Sequence, residues 1–474
     1  MLTEKNEQYP KNEYLNTYCN PTPLPDYPIG RCCYDEKHER VCDYRETADP
    51  SVIYEDGVWY LYSSCGMVYW SDDLVHWSHE RMEPYDIGYA PTVVKHKGKY
   101  LLTACKSDLY VSDHPRGPFK SIGAFRTPDG EVLRVYDPML FSDEDGRLYL
   151  YSGCGAAIRG AELDSDDPTR LISENTVMFE MNTAEHVWER IGDMNEDPSF
   201  SWTEGAWMYK RAGVYYLTYS APGTEWVTYA MGAYKSHSPM GPWEYMPTSP
   251  FLIKTHGLIR GTGHGCLVDG PNGTVWVFYT CCMCYGGPFE RRIGYDPIGF
   301  DDDGNIIPAT PTEIPQWAPG YKKTPHLENG AGLIPLTQRK KCVATSHSAG
   351  RDALYAVDDS MTTWWQPAKD DASPSLTVTL SKQPMEIRSA RIIWRDVGLD
   401  IKKGHLAGPF GYTVEAKTSD GEWICVLDKR DNTVDMTIEY LPIFPTRAVA
   451  VRINVTSTPE HITPGLVNFT VFGF

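Results

Sequence analysis

Three carboxylates stand at matching places in this 474-residue chain: Asp49 in ADPSV (48–52), Asp137 in YDPML (136–140) and Glu204 in TEGAW (203–207). Each opens a stretch that reads as β-strand: Val52-Ile53-Tyr54, Met139-Leu140-Phe141 and Trp207-Met208-Tyr209. A strand aims the acid at its mouth more sharply than a loop does, so several strands can send their acids into one cavity. Acids placed in this way can hydrolyse a glycosidic bond. One carboxyl gives a proton to the leaving oxygen, while another activates water on the opposite face of the sugar. A further carboxylate beside the acid keeps it protonated near neutral pH by like-charge repulsion. Taken singly, Asp49 and Asp137 before proline are ordinary turn residues and Glu204 a surface acid. Their recurrence in one structural setting carries the reading.

The setting is a repeated hairpin: an apolar strand, a tight turn ending in glycine, and a second strand rich in Tyr and Leu. Its copies lie at 51–64, 92–105, 139–154, 206–220 and 265–280. The turn pairs are Asp56-Gly57, Lys97-Gly98, Asp145-Gly146, Ala212-Gly213 and Asn272-Gly273. Asp-Gly and Asn-Gly suit two-residue hairpins, whose central positions need φ above zero. A Ser-x-x-Pro-x-Gly-Pro-aromatic pattern recurs at 112–119 and 236–243, a second sign of internal repetition. Five such units with almost no amphipathic helix predict an all-β chain built on a five-bladed β-propeller. Beyond a turn-rich stretch the strands alternate without glycine-closed hairpins, as in SLTVTL (375–380) and AVAVRINV (448–455), which predicts a β-sandwich (jelly-roll) domain. The expected boundaries are an N-terminal arm over 1–45, the propeller over 46–315, a linker over 316–338 and the sandwich over 339–474.

Bulk properties narrow the partners. Basic residues number 44 against 63 acidic, a net charge of −19, with no Lys/Arg block, which argues against nucleic acid and anionic membrane. Fourteen Trp and 31 Tyr suit stacking on neutral sugars, although aromatic strands account for most of them. The opening MLTEKNEQYPKNEYL has no apolar segment, and the 13 cysteines are an odd number, several inside expected strands (Cys105, Cys154, Cys266). Reduced thiols in a cytoplasm are therefore expected, with export by a signal absent from this chain as the alternative. Neither Cys32-Cys33 nor Cys281-Cys282-Cys284 has the spacing of a zinc knuckle.

The same residues resemble glycoside hydrolase family 43 over about 48–315. ADPSVIYEDGVWYLYSS is similar to that family's opening blade, which implies Asp49 as the ionised base. VYDPMLFSDEDGRLYLYSG is similar to the blade bearing its pKa-modulating Asp, which implies that task for Asp137, and TEGAWMYK is similar to the element bearing its acid, which implies Glu204. YAPTVVKHKGKYLL resembles a Trp-Ala-Pro element with Tyr89 in place of Trp, and GTGHGCLV a Gly-x-Gly-His element that puts His264 at the axis. RRIGYDPIGFDDDGN resembles the closing segment, which implies a substrate-contacting arginine. Of Arg291 and Arg292, we assign Arg292. On its own His264 reads as a hydrogen-bonded core histidine; the resemblance implies contact with a water cluster or, through water, a Ca²⁺ ion. The sandwich resembles the discoidin-like, coagulation-factor type C domains also grouped with carbohydrate-binding module family 32, through AVDDSMTTWWQP (356–367) and VNFTVFG (467–473). There Trp364-Trp365 could stack on sugar or fill the core, and Asp358-Asp359 could help hold a structural Ca²⁺.

The resemblance implies an inverting glycosidase, exo-acting on terminal furanose, with α-L-arabinofuranose first and β-xylosidase or β-D-galactofuranosidase as alternatives. Its partner would be an oligosaccharide or polysaccharide, and the chemistry requires no cofactor. A non-catalytic propeller lectin is the competing reading from another class.

Overall fold

The computed structural model describes residues 13–29, 44–84, 87–282, 287, 289–320 and 329–474. Cys32, Cys33 and Cys284 lie outside the described residues, as does the stretch 321–328 of the expected linker. Among those described, no helix is long and apolar enough to cross a membrane.

Five antiparallel sheets make the propeller. The first blade comprises Ser51–Glu55, Val58–Ser63, Met67–Ser71 and Ser78–Arg81, the second Thr92–His96, Lys99–Thr103, Leu109–Ser112 and Lys120–Gly123. The third is Met139–Ser142, Leu148–Ser152, Ala157–Leu163 and Thr176–Glu180. The fourth centres on Thr203–Arg211, Val214–Ala221 and Ala230–Ser236, the fifth on Gly263–Asp269, Val275–Cys282 and Arg291–Ile298. The first strand of each blade touches the first strand of the next, and that of the fifth touches that of the first, so the ring closes. Side chains do the closing. Val52, Trp59 and Leu61 of the first blade share one buried cluster with Cys266, Trp276 and Tyr295 of the fifth.

The expected hairpin turns form, one of them differently. Asp56-Gly57, Lys97-Gly98, Ala212-Gly213 and Asn272-Gly273 all have φ between 47° and 84° at both residues. In the third blade only Gly146 is left-handed, because Asp143 N–H bonds to the Arg147 carbonyl and closes a longer loop.

A feature invisible in the sequence repeats around the axis. Near the start of each innermost strand one residue is left-handed: Asp49 (φ 53°), Ala90 (49°), Asp137 (45°), Gly205 (59°) and His264 (41°). Four of these five carry a Cβ and so are strained, the kind of backbone that a surrounding fold must hold in place. In the fourth and fifth blades the strand register slips beside these residues, between Glu204 and Trp207 and between Gly263 and Cys266. Such bulges re-aim side chains, here toward the axis.

Beyond the propeller lies a β-sandwich. One sheet has the order Ile334–Pro335, Thr463–Gly473, Met385–Val397, Ile438–Ala448; the other runs Cys342–Ala344, Ser375–Thr379, Ala450–Ser457, Gly411–Lys417, Trp423–Lys429. Their inner faces enclose Trp365, Leu376, Trp394, Val414 and Phe469. The sandwich packs on the propeller: Met361, Trp364, Ile393, Ile438 and Val467 join the cluster that closes the ring. Neither tryptophan is a stacking platform. Trp365 is fully buried, and Trp364 is covered by the Arg351 and Arg395 guanidiniums, 3.3 and 4.1 Å from its ring centre. The Asp358 and Asp359 carboxylates accept hydrogen bonds from Thr363 and Gln338.

The arm is not loose where it is described. Asn20 behaves as an extra rung on the edge of the fifth blade, its Oδ1 accepting from Tyr295 N–H at 3.1 Å and its Nδ2 donating to Tyr295 O at 3.0 Å. Thr17–Tyr18 pairs with Gln316–Trp317, and Thr17 bonds Tyr440 of the sandwich. Arg45 then reaches across to Asp435 with two hydrogen bonds of 2.7 and 2.9 Å and to Asp396 with one of 2.8 Å.

Candidate active site

The three carboxylates converge. Asp49, Asp137 and Glu204 line one cavity of about 260 Å³ together with Tyr89, Cys154, Trp202, His264 and Arg291. Larger depressions exist, about 560 Å³ beside Tyr136 and 480 Å³ beside Arg116, but in neither do buried carboxylates meet. Beneath the site an axial void of about 10 Å³, walled by Pro50, Ala90, Pro138 and Gly205 among others, has room for about one water.

Asp49 is held by four hydrogen bonds to three residues. Arg291 donates to its two oxygens from Nη1 (2.9 Å) and Nη2 (3.2 Å), Ser64 donates from its hydroxyl, and its own N–H bonds Thr280 Oγ1 at 2.8 Å. Burial alone would raise this carboxyl; Arg291, His264 and Ser64 outweigh it and hold Asp49 below its ordinary range. It is ionised at neutral pH.

Glu204 has the opposite environment. Tyr229 OH donates to Oε1 at 2.6 Å and the Cys154 thiol to Oε2 at 3.3 Å, with no cation in the pair. Burial first, then the charge of Asp137, lift it to about 7 against the pull of His264, Tyr229 and Cys154. The repulsion expected of Asp137 is therefore present but second to desolvation. Asp137 itself is raised, by burial and then by Asp49, although His264, the Cys105 thiol and the Gly205 N–H oppose this.

His264 joins the acids. Its Nδ1 is 3.4 Å from Asp49 Oδ1 and 3.8 Å from Asp137 Oδ2, and its ring packs so close to Gly205 that an added Cβ there would sit 2.9 Å from Cγ. Tyr89 faces the same cavity and donates to Glu46 Oε2 at 3.0 Å.

Arg292 does not reach the site, and Arg291 takes the place expected of it. Adjacent residues of a strand point to opposite faces. Arg292 turns outward to the Arg45 carbonyl at 2.6 Å and over the Tyr27 ring, while Arg291 turns in. Sequence reasoning also missed Glu46, a fully buried acid that accepts from Arg291 Nε (2.9 Å) and Nη2 (2.6 Å). It missed Trp202 at the cavity rim, 41% exposed, for which a lone Trp two residues before Glu204 was the available signal. The thiols Cys105 and Cys154, expected as buried free thiols inside strands, are free but half-buried and partner Asp137 and Glu204. Cys281 and Cys282 donate to backbone carbonyls of Arg292 and Thr224.

Comparison with known proteins shows the family to which the chain is similar. The model of glycosyl hydrolases family 43 matches residues 44–306. A β-xylosidase of Xylanibacter ruminicola is 26% identical over 319 residues, which cover 60% of this chain and 90% of the relative. A xylosidase/arabinosidase 43A of Humicola insolens is 27% identical over 266 residues, covering 47% of this chain and 75% of the relative. Among solved structures, a thermostable family-43 glycoside hydrolase aligns with a TM-score of 0.51 at 25% identity, over 65% of this chain and 100% of that one.

Proposed function

This chain belongs to glycosyl hydrolase family 43 and is a glycosidase, and from that premise we propose an exo-acting, inverting furanosidase. One observation carries the mechanism: a single cavity holds one carboxyl kept ionised and another lifted to about 7. Opposite protonation states are what acid and base must have at the start of a displacement. Glu204 is the acid that protonates the leaving oxygen. Asp49 is the base that takes a proton from water as that water attacks the anomeric carbon. Asp137 raises Glu204, and His264 keeps Asp49 and Asp137 in register. Tyr89, Trp202 and Arg291 would orient the sugar. The cavity is smaller than the roughly 300–1,000 Å³ typical of drug-sized ligand sites, which favours release of one terminal sugar.

α-L-Arabinofuranose is the proposed sugar, with β-D-xylose and β-D-galactofuranose as the competing arms of one test. Rates on the three aryl glycosides are compared for the wild type and Glu204→Gln. The expected result is fastest turnover of the arabinofuranoside, with inverted product anomer by NMR, and loss of turnover in the variant on an oligosaccharide, whose leaving group is poor. A retained anomer would move the nucleophile to Asp137, which with Glu204 and Cys154 brings one ligand atom each within 4.8 Å of the others.

No step is assigned to a cofactor. Dialysis against EDTA is expected to leave kcat unchanged; a loss restored by Ca²⁺ would bring an ion held through water at His264 into the mechanism. For the sandwich we keep the discoidin-like reading, tested by glycan-array binding of the full chain with the cavity blocked by product. A cytoplasmic site of action is likewise proposed, supported by nine free thiols among the described residues and checked by cell fractionation.

A further inference from the structure

Glycoside hydrolysis needs oxygen donors, yet sulfur stands at both members of the close acid pair. Cys105 Sγ lies 3.0 Å from Asp137 Oδ1, and Cys154 Sγ lies 3.3 Å from Glu204 Oε2. A serine would make either hydrogen bond with a stronger donor. Cys154, Glu204 and Asp137 also turn one ligand atom each toward a common point, all within 4.8 Å of one another, and no other such group occurs among the described residues.

One thiol and two carboxylates form a donor set for a borderline-soft divalent cation. With Zn–S about 2.3 Å and Zn–O about 2.0 Å, sulfur and oxygen on a tetrahedral ion stand about 3.5 Å apart. The Cys154–Glu204 pair, at 3.3 Å, already has that edge. Asp137 supplies the third corner after a small closing movement, and the fourth faces the open cavity, where water can sit. Charge favours the same occupant. Arg291 neutralises Asp49, whereas among the described residues no Lys or Arg pairs with Asp137 or Glu204.

We propose that Cys154, Glu204 and Asp137 form a binding site for Zn²⁺ or Cd²⁺, and that its occupation stops hydrolysis. Binding replaces the Cys154 S–H bond by an S–metal bond and releases that proton to solvent. Glu204 loses its proton in the same event and becomes a ligand. An acid that is a metal ligand has no proton to give, so the inhibition, though not the site, rests on Glu204 being the catalytic acid.

The test titrates the whole 474-residue, metal-free chain with Cd²⁺. The ultraviolet thiolate-to-Cd²⁺ charge-transfer band and turnover are followed in the wild type, Cys154→Ser and, should serine fold poorly, Cys154→Ala. Cys425→Ser, exposed in the sandwich, controls for incidental thiols. Expected is a band of one equivalent that disappears in the Cys154 variants and persists in Cys425→Ser. Inhibition, scaled to each protein's own metal-free rate, should weaken at least tenfold with the Cys154 variants. An undiminished band in Cys154→Ser would overturn the site. A band lost in that variant while Cd²⁺-loaded wild type turns over at full rate would keep the site and overturn Glu204 as the acid.

Discussion

Asp49 is buried and Glu204 half-buried in one cavity, and what separates their protonation is the cation that only Asp49 has. That difference sets the pH profile. Glu204 must be protonated to act and is raised to about 7, so kcat/KM should fall as pH climbs through about 7. Glu204→Gln should lose ~10²–10⁴-fold on a substrate with a poor leaving group and show no alkaline limb. Asp137→Asn removes the second of the two causes that raise Glu204, so the limb should move to lower pH while staying above the ordinary Glu range, because burial persists. The same shift acts on stability. A carboxyl whose folded pKa is raised favours the fold below its unfolded value, near 4.3, and loses that contribution as pH rises through about 7. Thermal scans should therefore find Glu204→Gln more stable than wild type at pH 8 and not at pH 4. Arg291→Met has the opposite character. It strands Asp49 and Glu46 without a cation, with an expected cost of ~3–5 kcal/mol by denaturant unfolding and an acid limb moved to higher pH. The convergence of the three acids was legible from their recurrence at the mouths of repeated hairpins. Arg291 was not, because strand parity decides between neighbours and a one-residue error exchanges the two faces.

At the scale of elements, the hairpins were legible because glycine turns and alternating aromatics are local signals. The bulges were not. Nothing in TEGAW or GTGHG shows that the register slips beside Glu204 and His264, yet those slips aim both side chains inward. Gly205 shows how tight the arrangement is. Its φ of 59° and the 2.9 Å separation from an added Cβ to His264 Cγ leave no room for a side chain. Gly205→Ala should push the imidazole from Asp49 and Asp137. The expected readout is a kcat reduced at least tenfold with near-wild-type far-UV circular dichroism, and a reported loss of His264 contacts in a crystal structure of the variant. Unchanged kcat would mean that the ring yields without consequence.

For the whole molecule, the sequence indicated two domains and an irregular arm, and all-β architecture was legible throughout. How the parts adhere was not, since their contacts join residues hundreds of positions apart and leave no local pattern. The sandwich contributes Met361, Trp364, Ile393, Ile438 and Val467 to the cluster that closes the propeller ring. Calorimetry of the full chain should accordingly show one cooperative transition. Arg45→Met, which leaves Asp396 and Asp435 of the sandwich without the cation that reaches them across the junction, should lower stability by ~3–5 kcal/mol or split the transition in two. The arm adds a consequence of timing. Asn20 finds its partner at Tyr295 and Thr17 finds its own at Tyr440, 423 residues later. During synthesis this segment emerges long before either docking surface exists. Blades one to four can condense on the ribosome while it waits, but the fifth blade's outer rung and the seam to the sandwich must be laid last. The earliest stitch of the chain is thus the one that fastens the finished garment.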